Sequence, residues 1–380
     1  MAEGAPPSVL LAVEQLRRQV PGGIGAYARG LLGGLAERSR EGDPVDVTLL
    51  ASRPPGRRAD DPLAAFGRPV IASRLPGPLL TRAWDHGLRH APSGFDVVHS
   101  VSLATPTARP SSGSRAVVTV HDVAWQRHPE ATTPRGRRWH QSALVRAREG
   151  GAALVVPSRL VAADVAAFGV DPGRITVVRG GADHLPEPDP AATEALLGRL
   201  GVPGEFLLTV GTLEPRKNVD RLVRAFHTVR PSLPGPWPLV IVGPAGWGRE
   251  PSTRHDTDGI VFTGSVSGPV LAGLYRRARA FAYVPLTEGY GLPPLESMRV
   301  GTPSVVSDEV PSVHDLGEVG PAPARIVDPF DVEDIAAGLA AVLTDDALRS
   351  DLAARGAAHA RSRTWATVAR EHVALWRSLR

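Results

Sequence analysis

The chain has 380 residues, more than one hydrophobic core usually supports, so its length predicts two domains. Its composition, 42% hydrophobic and 22% charged, is typical of a globular protein, and a net charge of +4 is too small to indicate a nucleic-acid binder. Without cysteine, the chain has neither a disulfide nor a thiolate metal site.

The sequence also bears on the cellular location. No apolar run reaches the roughly 18 residues that span a bilayer, and the first residues do not form a signal-peptide pattern. We therefore expect a cytoplasmic protein, with a peripheral position at the inner face of the membrane as the alternative. The frequent alanine, arginine, glycine and proline are typical of GC-rich bacterial genes.

Short β-branched runs alternate with helical patterns through the first half of the chain. The predicted strands cover residues 9–13, 45–50, 97–100, 117–121 and 154–157. The predicted helices cover residues 25–40, 135–150 and 159–168. Most of the strands are continuous apolar runs, which are typical of strands buried on both faces of a parallel sheet. The alternation predicts a doubly wound α/β domain.

The same alternation recurs after a stretch rich in glycine, proline and acids at residues 179–205, within which residues 190–200 have a helical pattern. The predicted strands are 206–211, 239–243, 260–263, 281–284 and 304–307, and the predicted helices are 220–230, 270–278, 293–300 and 331–343. We therefore predict two Rossmann-like domains facing a central cleft, where the carboxyl ends of the strands bind ligands. The expected divisions are residues 1–180, 181–363 and a last helical segment, 364–380.

Two glutamates flank the loop between a predicted strand and a predicted helix. Glu288 follows the strand's carboxyl end, and Glu296 falls in the first turn of the helix over residues 293–300. Loop glycines let backbone amides approach a ligand, a helix N-terminus attracts anions, and carboxylates accept hydrogen bonds from hydroxyls. The stretch has the parts for a sugar-diphosphate ligand. The alternative is that Glu296 only complements the helix dipole and Glu288 is solvated.

A second loop, in "VGTLEPRKNV", has the same build. A strand ends at Gly211, a turn carries Arg216 and Lys217, and Asn218 is expected to cap the next helix. Two cations at a strand end predict a diphosphate clamp, whereas solvated turn cations are the alternative. Lys217 is the only lysine in the chain, which either marks a site or reflects an arginine-biased genome.

The pair "GTLEPRKN" and "EGYGLPPLE", with its Glu-x7-Glu spacing, resembles the retaining GT-B glycosyltransferases of family 4, which include bacterial mannosyltransferases and sucrose synthases. The resemblance extends to "GGIGAYARGLLGGL", "VTVHDVAW" and "VPSRLVAADV" in the first half. It covers nearly the whole chain. One departure is Thr212, where many members place an arginine; Arg216 is then expected to supply the guanidinium.

The resemblance implies a role for each motif residue. Glu296 would bind the ribose of the donor nucleotide, and Glu288 would hold the transferred sugar at its C3 hydroxyl. Arg216 and Lys217 would stabilise the departing diphosphate, and His121 would lie near the sugar's C6 hydroxyl and the acceptor. The remaining donor contacts would come from Gly22, Gly23 and Gly25 in a mobile loop, from Val266 at the base, and from Gly289, Tyr290, Gly291 and Leu292 at the sugar and diphosphate.

The implied reaction transfers a hexose with retention and without a metal or other cofactor. We expect a nucleoside-diphosphate sugar as donor, with GDP-mannose favoured over UDP-glucose or UDP-N-acetylglucosamine, and a saccharide or lipid-linked acceptor. The segment 361–380 is predicted to be one amphipathic helix that packs on the second domain or, as the resemblance implies, crosses back to the first. Its apolar face would carry Trp365, Val368, His372, Leu375 and Trp376.

Three other functions stay open. A nucleotide-sugar 2-epimerase would act on the donor alone. A phosphorylase would need a lysine for pyridoxal phosphate, and Lys217 is already assigned to the clamp. A catalytically silent partner of another transferase would have little need for the intact clamp, acids and His121.

Several motifs are weaker signals. The pattern Gly23 to Ala28 matches a dinucleotide-binding fingerprint but starts too far from its strand. The acids of Asp256-Thr257-Asp258 resemble metal-binding acids but precede a strand. His121-Asp122 lacks the nucleophile elbow of a hydrolase. The basic stretch 135–150 is either a solvated face or a contact for an anionic acceptor or lipid surface.

Overall fold

A computed structural model describes residues 6–54, 56, 61–106, 113–202, 204–235, 237–246, 258–314 and 321–380. The chain divides into two compact units. Unit 1 comprises Met1–His184 together with Thr364–Arg380, and unit 2 comprises Leu185–Arg363. The chain therefore leaves unit 1 after His184 and returns to it at Thr364.

Unit 1 contains a seven-stranded parallel sheet. Its strands are β1 (Ser8–Ala12), β2 (Asp46–Ala51), β3 (Val70–Ala72), β4 (Val97–Ser100), β5 (Arg115–Thr119), β6 (Ala153–Val156) and β7 (Ile175–Val177), in the order β3-β2-β1-β4-β5-β6-β7. The helices that follow in this part of the chain are α1 (Gly22–Arg40), α2 (Gly77–Asp85), α3 (Ala124–Arg127), α4 (Pro134–Glu149) and α5 (Arg159–Ala167). The central strands are buried on both faces, so their continuous apolar runs form the core.

Unit 2 contains a six-stranded parallel sheet in the order β10-β9-β8-β11-β12-β13. Its strands are β8 (Leu207–Val210), β9 (Leu239–Val242), β10 (Ile260–Gly264), β11 (Ala280–Tyr283), β12 (Ser304–Ser307) and β13 (Arg325–Val327). Its helices are α6 (Pro190–Arg199), α7 (Val219–Val229), α8 (Gly268–Arg277), α9 (Leu292–Arg299), α10 (Val332–Thr344) and α11 (Asp346–Arg361). The sheet order reverses between β8 and β11, so the loops that follow these two strands lie at a topological switch point.

The segment predicted as one helix over residues 361–380 is divided in the structure. Helix α11 ends at Arg361, and a separate helix, α12 (Trp365–Ser378), begins after Thr364, whose side chain accepts a hydrogen bond from the Thr367 amide. That cap starts a new helix because it satisfies a first-turn amide. Leu375 is only half-buried, whereas His372 and Trp376 are fully buried.

Helix α12 packs on α1 of the same unit at two glycines. A Cβ atom at Gly30 would lie 2.1 Å from Cε2 of Trp365, and one at Gly34 would lie 2.1 Å from the carbonyl oxygen of Trp365. The indole N–H of Trp365 donates to His184 at 3.1 Å, and its amide donates to Asp183 at 2.8 Å. Trp365 therefore occupies a socket whose walls come from α1 and from the end of the first segment of unit 1.

The sequence pattern does not predict three of the strands: β3, β7 and β13. Each has three residues and lies at the edge of its sheet, where side chains are only partly buried and the apolar run is short. Helix α2 begins with Gly77 and Pro78, which resemble a loop but are tolerated in a first helical turn. Helix α11 spreads its alanines around the whole surface and so lacks an apolar stripe.

Candidate active site

Glu288 lies just beyond the carboxyl end of β11, and its side chain is 10% exposed. Its Oε1 atom accepts hydrogen bonds from Arg216 Nη1 at 2.7 Å, from Lys217 Nζ at 2.5 Å and from the Tyr283 hydroxyl at 2.8 Å. Arg216 and Lys217 follow β8, which pairs in parallel with β11. Because parallel neighbours end at the same edge of a sheet, the two cations and the acid meet there.

Burial and charge act against each other in this cluster. Burial alone would raise the pKa of Glu288, but Arg216 and Lys217 lower that pKa to about 2. Burial lowers the pKa of Lys217, and the negative charge of Glu288 opposes that effect. Burial, together with Glu288, raises the pKa of Tyr283 well above its ordinary value. At neutral pH, Glu288 is therefore a carboxylate and Tyr283 a hydroxyl that donates to it.

The clamp cations thus contact the acid directly, whereas the sequence suggested separate positions for diphosphate and sugar. Arg216 also donates to Glu214 at 2.7 Å and to the Thr287 carbonyl at 3.1 Å, which fixes its guanidinium plane. Lys217 also donates to the Tyr283 hydroxyl at 2.7 Å. Charge-assisted contacts of this kind hold three ionised groups in one arrangement with little side-chain freedom.

The expectation that the Asn218 side chain caps α7 is wrong. Asn218 has a φ of +59°, and it is the one non-glycine residue with positive φ in the part of the chain that the structure describes. Its side-chain amide donates to the carbonyls of Val284 and Pro329 at 2.9 and 2.8 Å instead. Asn218 therefore ties the clamp turn to the backbone directly after β11.

Glu296 lies in the second turn of α9 rather than the first, because α9 already begins at Leu292. It is 6% exposed, and its Oε2 accepts a hydrogen bond from the Tyr275 hydroxyl at 2.8 Å. Burial and the charge of Glu296 raise the pKa of Tyr275 well above its ordinary value. Neither solvation nor a first-turn dipole contact accounts for a buried, bonded carboxylate at this position.

The loop 289–292 is held from one side by Ser312. The Ser312 amide donates to the Tyr290 carbonyl at 2.8 Å, and its hydroxyl donates to the Gly291 carbonyl at 2.7 Å. Gly291 has a φ of +95°, and a Cβ there would lie 2.4 Å from Cγ1 of Val310, so only glycine fits. Gly289 is buried, and Leu292 is the first residue of α9. The loop enters the helix in a single, defined conformation.

Val266 lies in the turn between β10 and α8 and is half-buried. Like the clamp turn and the Glu288 loop, it follows the carboxyl end of a strand of the unit 2 sheet. Its predicted contact with a base is therefore compatible with its position in the fold.

His121 follows β5 in unit 1. Its Nε2 contacts the Val101 carbonyl at 2.8 Å, and because a carbonyl only accepts, Nε2 carries the hydrogen. In the neutral ring Nδ1 is then an acceptor, and burial lowers the pKa of His121, which favours the neutral form. The Asp122 carboxylate accepts a hydrogen bond from the Ala124 amide at 3.1 Å, directly before α3. The rings of Tyr27 and His121 pack in a T-shaped arrangement, with centroids 4.8 Å apart and planes at 83°.

The expectation of a loop at Gly22, Gly23 and Gly25 is wrong: all three lie in the first turn of α1. The Gly25 amide donates to the Pro21 carbonyl at 3.0 Å, which starts the helix. A Cβ at Gly25 would lie 2.2 Å from Cβ of Pro21, so the absent side chain permits this early start. The fingerprint-like pattern from Gly23 to Ala28 is therefore part of a helix that starts well after β1 ends at Ala12.

The other motifs form contacts away from these loops. Asp256 and Thr257 lie outside the described residues, and Asp258 pairs with Arg230. Trp139 of α4 donates to Asp85 at 2.8 Å, which turns this aromatic ring toward α2. Within the described ranges, no group of three His, Asp or Glu side chains is placed to hold a metal ion. No described helix is long and apolar enough to span a membrane.

Sequence reasoning missed Tyr283, Tyr275 and Ser312. Both tyrosines lie in apolar segments and therefore resemble core residues. Tyr283 could still have been predicted as a site residue, because its hydroxyl lies at the carboxyl end of β11. Ser312 follows a strand more than twenty residues after the loop it holds, and no local pattern connects the two.

Comparison with known proteins gives a consistent result in both halves. The family described as Glycosyltransferase Family 4 matches residues 21–184, and the family described as Glycosyl transferases group 1 matches residues 200–359. O-antigen chain mannosyltransferase B of Escherichia coli is 27% identical over 374 residues, covering 94% of this chain and 96% of the relative. D-inositol 3-phosphate glycosyltransferase of Kineococcus radiotolerans is 29% identical over 399 residues, covering 94% and 90%.

A solved structure extends the likeness to the fold. Anabaena HepE in complex with UDP and glucose superposes with a TM-score of 0.72 at 18% identity, covering 98% of this chain and 100% of that protein. The predicted fold class is confirmed: both units are Rossmann-like, with parallel sheets. The matched families, the relatives and the fold together support a GT-B glycosyltransferase, with the family 4 match in the first half of the chain and the group 1 match in the second.

Proposed function

We propose that the protein is a retaining, metal-independent glycosyltransferase that moves a hexose, with mannose favoured, from a nucleoside-diphosphate sugar to a saccharide or lipid-linked acceptor. The observation that carries this proposal is the Glu288 cluster, in which one largely buried carboxylate meets Arg216, Lys217 and a tyrosine hydroxyl at a topological switch point. Such a cluster offers an acceptor for sugar hydroxyls next to fixed positive charge.

The chemistry requires that negative charge on the leaving diphosphate be stabilised as the anomeric bond stretches. Arg216 and Lys217 are already held in place by Glu288, so they cost little reorganisation when that charge develops. The loop 289–292, which follows the same strand end, contributes backbone amides, and the dipole of α9 adds positive potential although Pro293 and Pro294 have no N–H to donate. The acceptor oxygen bonds to the anomeric carbon on the face from which the diphosphate leaves, and a phosphate oxygen takes the acceptor's proton. The configuration is therefore retained, and no carboxylate nucleophile is needed.

Each remaining residue has a proposed role that fits its geometry. Glu296, bonded to Tyr275, presents its carboxylate to the ribose hydroxyls. His121, with Nδ1 as acceptor, takes a hydrogen bond from the C6 hydroxyl or the acceptor. The start of α1 at Gly22, Gly23 and Gly25 and the turn at Val266 contribute backbone contacts to the donor.

GDP-mannose is the favoured donor because relatives named as mannosyltransferases match this chain. UDP-glucose and UDP-N-acetylglucosamine are the next candidates, since HepE is solved with UDP and glucose. The exposed Arg135, Arg137 and Arg138 at the start of α4 favour an anionic, lipid-linked acceptor at a membrane surface. Thermal-shift measurements with GDP, UDP, dTDP and ADP rank the bases, and a preference for UDP would reverse the choice of donor.

We expect Glu288→Gln and Lys217→Ala each to lower kcat by roughly 10²–10³-fold, because each removes a group that stabilises the transition state. Transfer is measured by release of nucleoside diphosphate, and the product's anomeric configuration by NMR. Glu194→Gln is the matched control, since Glu194 is an exposed acid paired with Arg277, and it should keep wild-type turnover. Full activity in both test variants would contradict the proposed role of the Glu288 cluster in sugar transfer.

Two further measurements distinguish the competing functions. An epimerase converts nucleotide sugar in the absence of any acceptor, whereas a transferase gives at most slow donor hydrolysis. A silent partner gives neither reaction. Addition of EDTA leaves turnover unchanged if the fixed cations replace a metal.

A further inference from the structure

Five buried side chains of unit 1 form a continuous chain of hydrogen bonds that begins and ends on α12. The Trp376 indole contacts His99 Nδ1 at 3.2 Å, His99 Nε2 contacts Thr119 at 2.9 Å, and Thr119 contacts the Tyr27 hydroxyl at 3.5 Å. That hydroxyl contacts His372 Nε2 at 2.7 Å, and His372 Nδ1 contacts the Val368 carbonyl at 2.8 Å. All five side chains are at most 4% exposed.

The two ends of the chain determine its direction. The indole N–H of Trp376 only donates, so His99 Nδ1 accepts and His99 Nε2 carries the hydrogen that it gives to Thr119. The Val368 carbonyl only accepts, so His372 Nδ1 donates and His372 Nε2 accepts from Tyr27. The Thr119 hydroxyl then donates to Tyr27, and every group is satisfied with both histidines neutral. Burial lowers the pKa of His99 well below its ordinary value, in agreement with this arrangement.

One ring within the chain contacts the candidate residue His121. Tyr27, whose hydroxyl is held by His372, packs its ring against His121 at a centroid distance of 4.8 Å. Tyr27 also belongs to α1, two residues after Gly25. A side chain of α12 is therefore hydrogen-bonded to the residue whose ring packs against His121.

We propose that Tyr27 and His372 are positioning residues for His121, so that α12 sets the orientation of the His121 ring through one directed hydrogen-bond chain. The catalytic part of this inference rests on the proposed role of His121, whereas the positioning part does not. Neither residue needs to touch substrate. The loss of the Tyr27–His372 bond leaves a buried hydroxyl or ring nitrogen unsatisfied, and the Tyr27 ring then shifts against His121.

The test uses the full chain labelled with ¹⁵N-histidine, with ring signals assigned by single histidine substitutions. We expect the Nδ1–H tautomer for His372 and the Nε2–H tautomer for His99 and His121. His372→Leu should shift the His121 ring signals and lower kcat about 10–100-fold, with the donor KM within about twofold. His372→Gln, whose amide oxygen replaces the Nε2 acceptor, should restore the His121 ring signals and kcat to values close to those of the wild type. Tyr27→Phe, which removes only the hydroxyl, is the second variant if His372→Leu does not fold.

The outcomes separate this inference from the proposed function. His121 signals that stay unchanged in His372→Leu and in Tyr27→Phe would overturn the positioning role, whatever the activity. The opposite tautomer at His372 would overturn the directed chain. Shifted His121 signals in a protein that transfers no sugar would support positioning while removing the proposed function.

Discussion

At the scale of single residues, the Oε1 atom of Glu288 accepts three hydrogen bonds, two from cations and one from a hydroxyl. Its partners come from the clamp turn and from the strand directly before it. Substitution of Glu288 therefore leaves two cations without their shared carboxylate, and substitution of Arg216 or Lys217 leaves that carboxylate with one cation fewer. The cluster is both a stabilising contact of unit 2 and the proposed site of chemistry.

Glu288 should contribute to acid unfolding within a defined pH range. Its pKa of about 2 in the folded protein lies below the ordinary 4.5, so its contribution is complete above pH 4.5 and is lost as the pH falls toward 2. The difference corresponds to roughly 3 kcal/mol of free energy of unfolding. Urea titrations from pH 7 to pH 3 should therefore give a steeper loss for the wild type than for Glu288→Gln.

Glu194→Gln again provides the comparison, because Glu194 is mostly exposed and should leave the pH dependence as in the wild type. If the curves of wild type and Glu288→Gln run parallel below pH 4.5, the carboxylate does not titrate as the structure requires.

The sequence predicts the identities of these residues better than their contacts. Glu288 and Lys217 stand out because acids and cations directly follow apolar strands. Their mutual bond depends on the order β8–β11 in the sheet, which no local pattern reports. The role of Asn218 was predicted wrongly for a related reason. Its residue type is typical of helix caps, but its side chain bonds to the backbone directly after the neighbouring strand β11.

At the scale of elements, the packing of α1 against α12 depends on two glycines that face Trp365. We expect Gly30→Ala and Gly34→Ala each to destabilise unit 1 by about 1–3 kcal/mol, because the added methyl group overlaps the indole or the backbone of Trp365. Gly33→Ala is the matched control on the same helix, since a Cβ there meets nothing within 4 Å. Melting temperatures measured by circular dichroism give the ranking.

For Gly33→Ala, helix propensity favours a stabilisation of up to about 1 kcal/mol. Equal melting temperatures for the three variants would mean that α12 does not dock on α1 as described.

Elements buried on both faces were predictable, and elements at the margins were not. Strands such as β4 and β12 match their predicted bounds because burial on both faces imposes a continuous apolar run. Edge strands β3, β7 and β13 are shorter and partly exposed, so their sequences carry a weaker signal. The early start of α1 at Gly22 escaped prediction because glycine is a poor helix former, and the proline before it supplies the first acceptor.

At the scale of the whole molecule, unit 1 is discontinuous in sequence. A chain that ends at Arg363 lacks Trp365, His372 and Trp376, and so loses both the socket contact and the hydrogen-bond chain. We expect this truncation to lower the melting temperature of unit 1 strongly while leaving the transition of unit 2 near its wild-type position. Calorimetry resolves the unfolding transitions of the two units, and turnover should fall together with the stability of unit 1.

A chain that ends at Ser378 retains all of α12 and should melt like the full chain. If removal of residues 364–380 leaves both transitions and turnover unchanged, α12 is a dispensable appendage.

The return of the chain to unit 1 also determines the order in which a ribosome can complete the two units. Unit 2 has all of its residues once Arg363 has emerged, whereas unit 1 waits for Thr364–Arg380. At about 5–20 residues per second, the interval after His184 lasts roughly 10–40 seconds. During that time His99, Tyr27 and the glycine face of α1 lie uncovered in the nascent chain. The half that is translated first is therefore the half that finishes folding last, and it is the one that most needs protection by chaperones during synthesis.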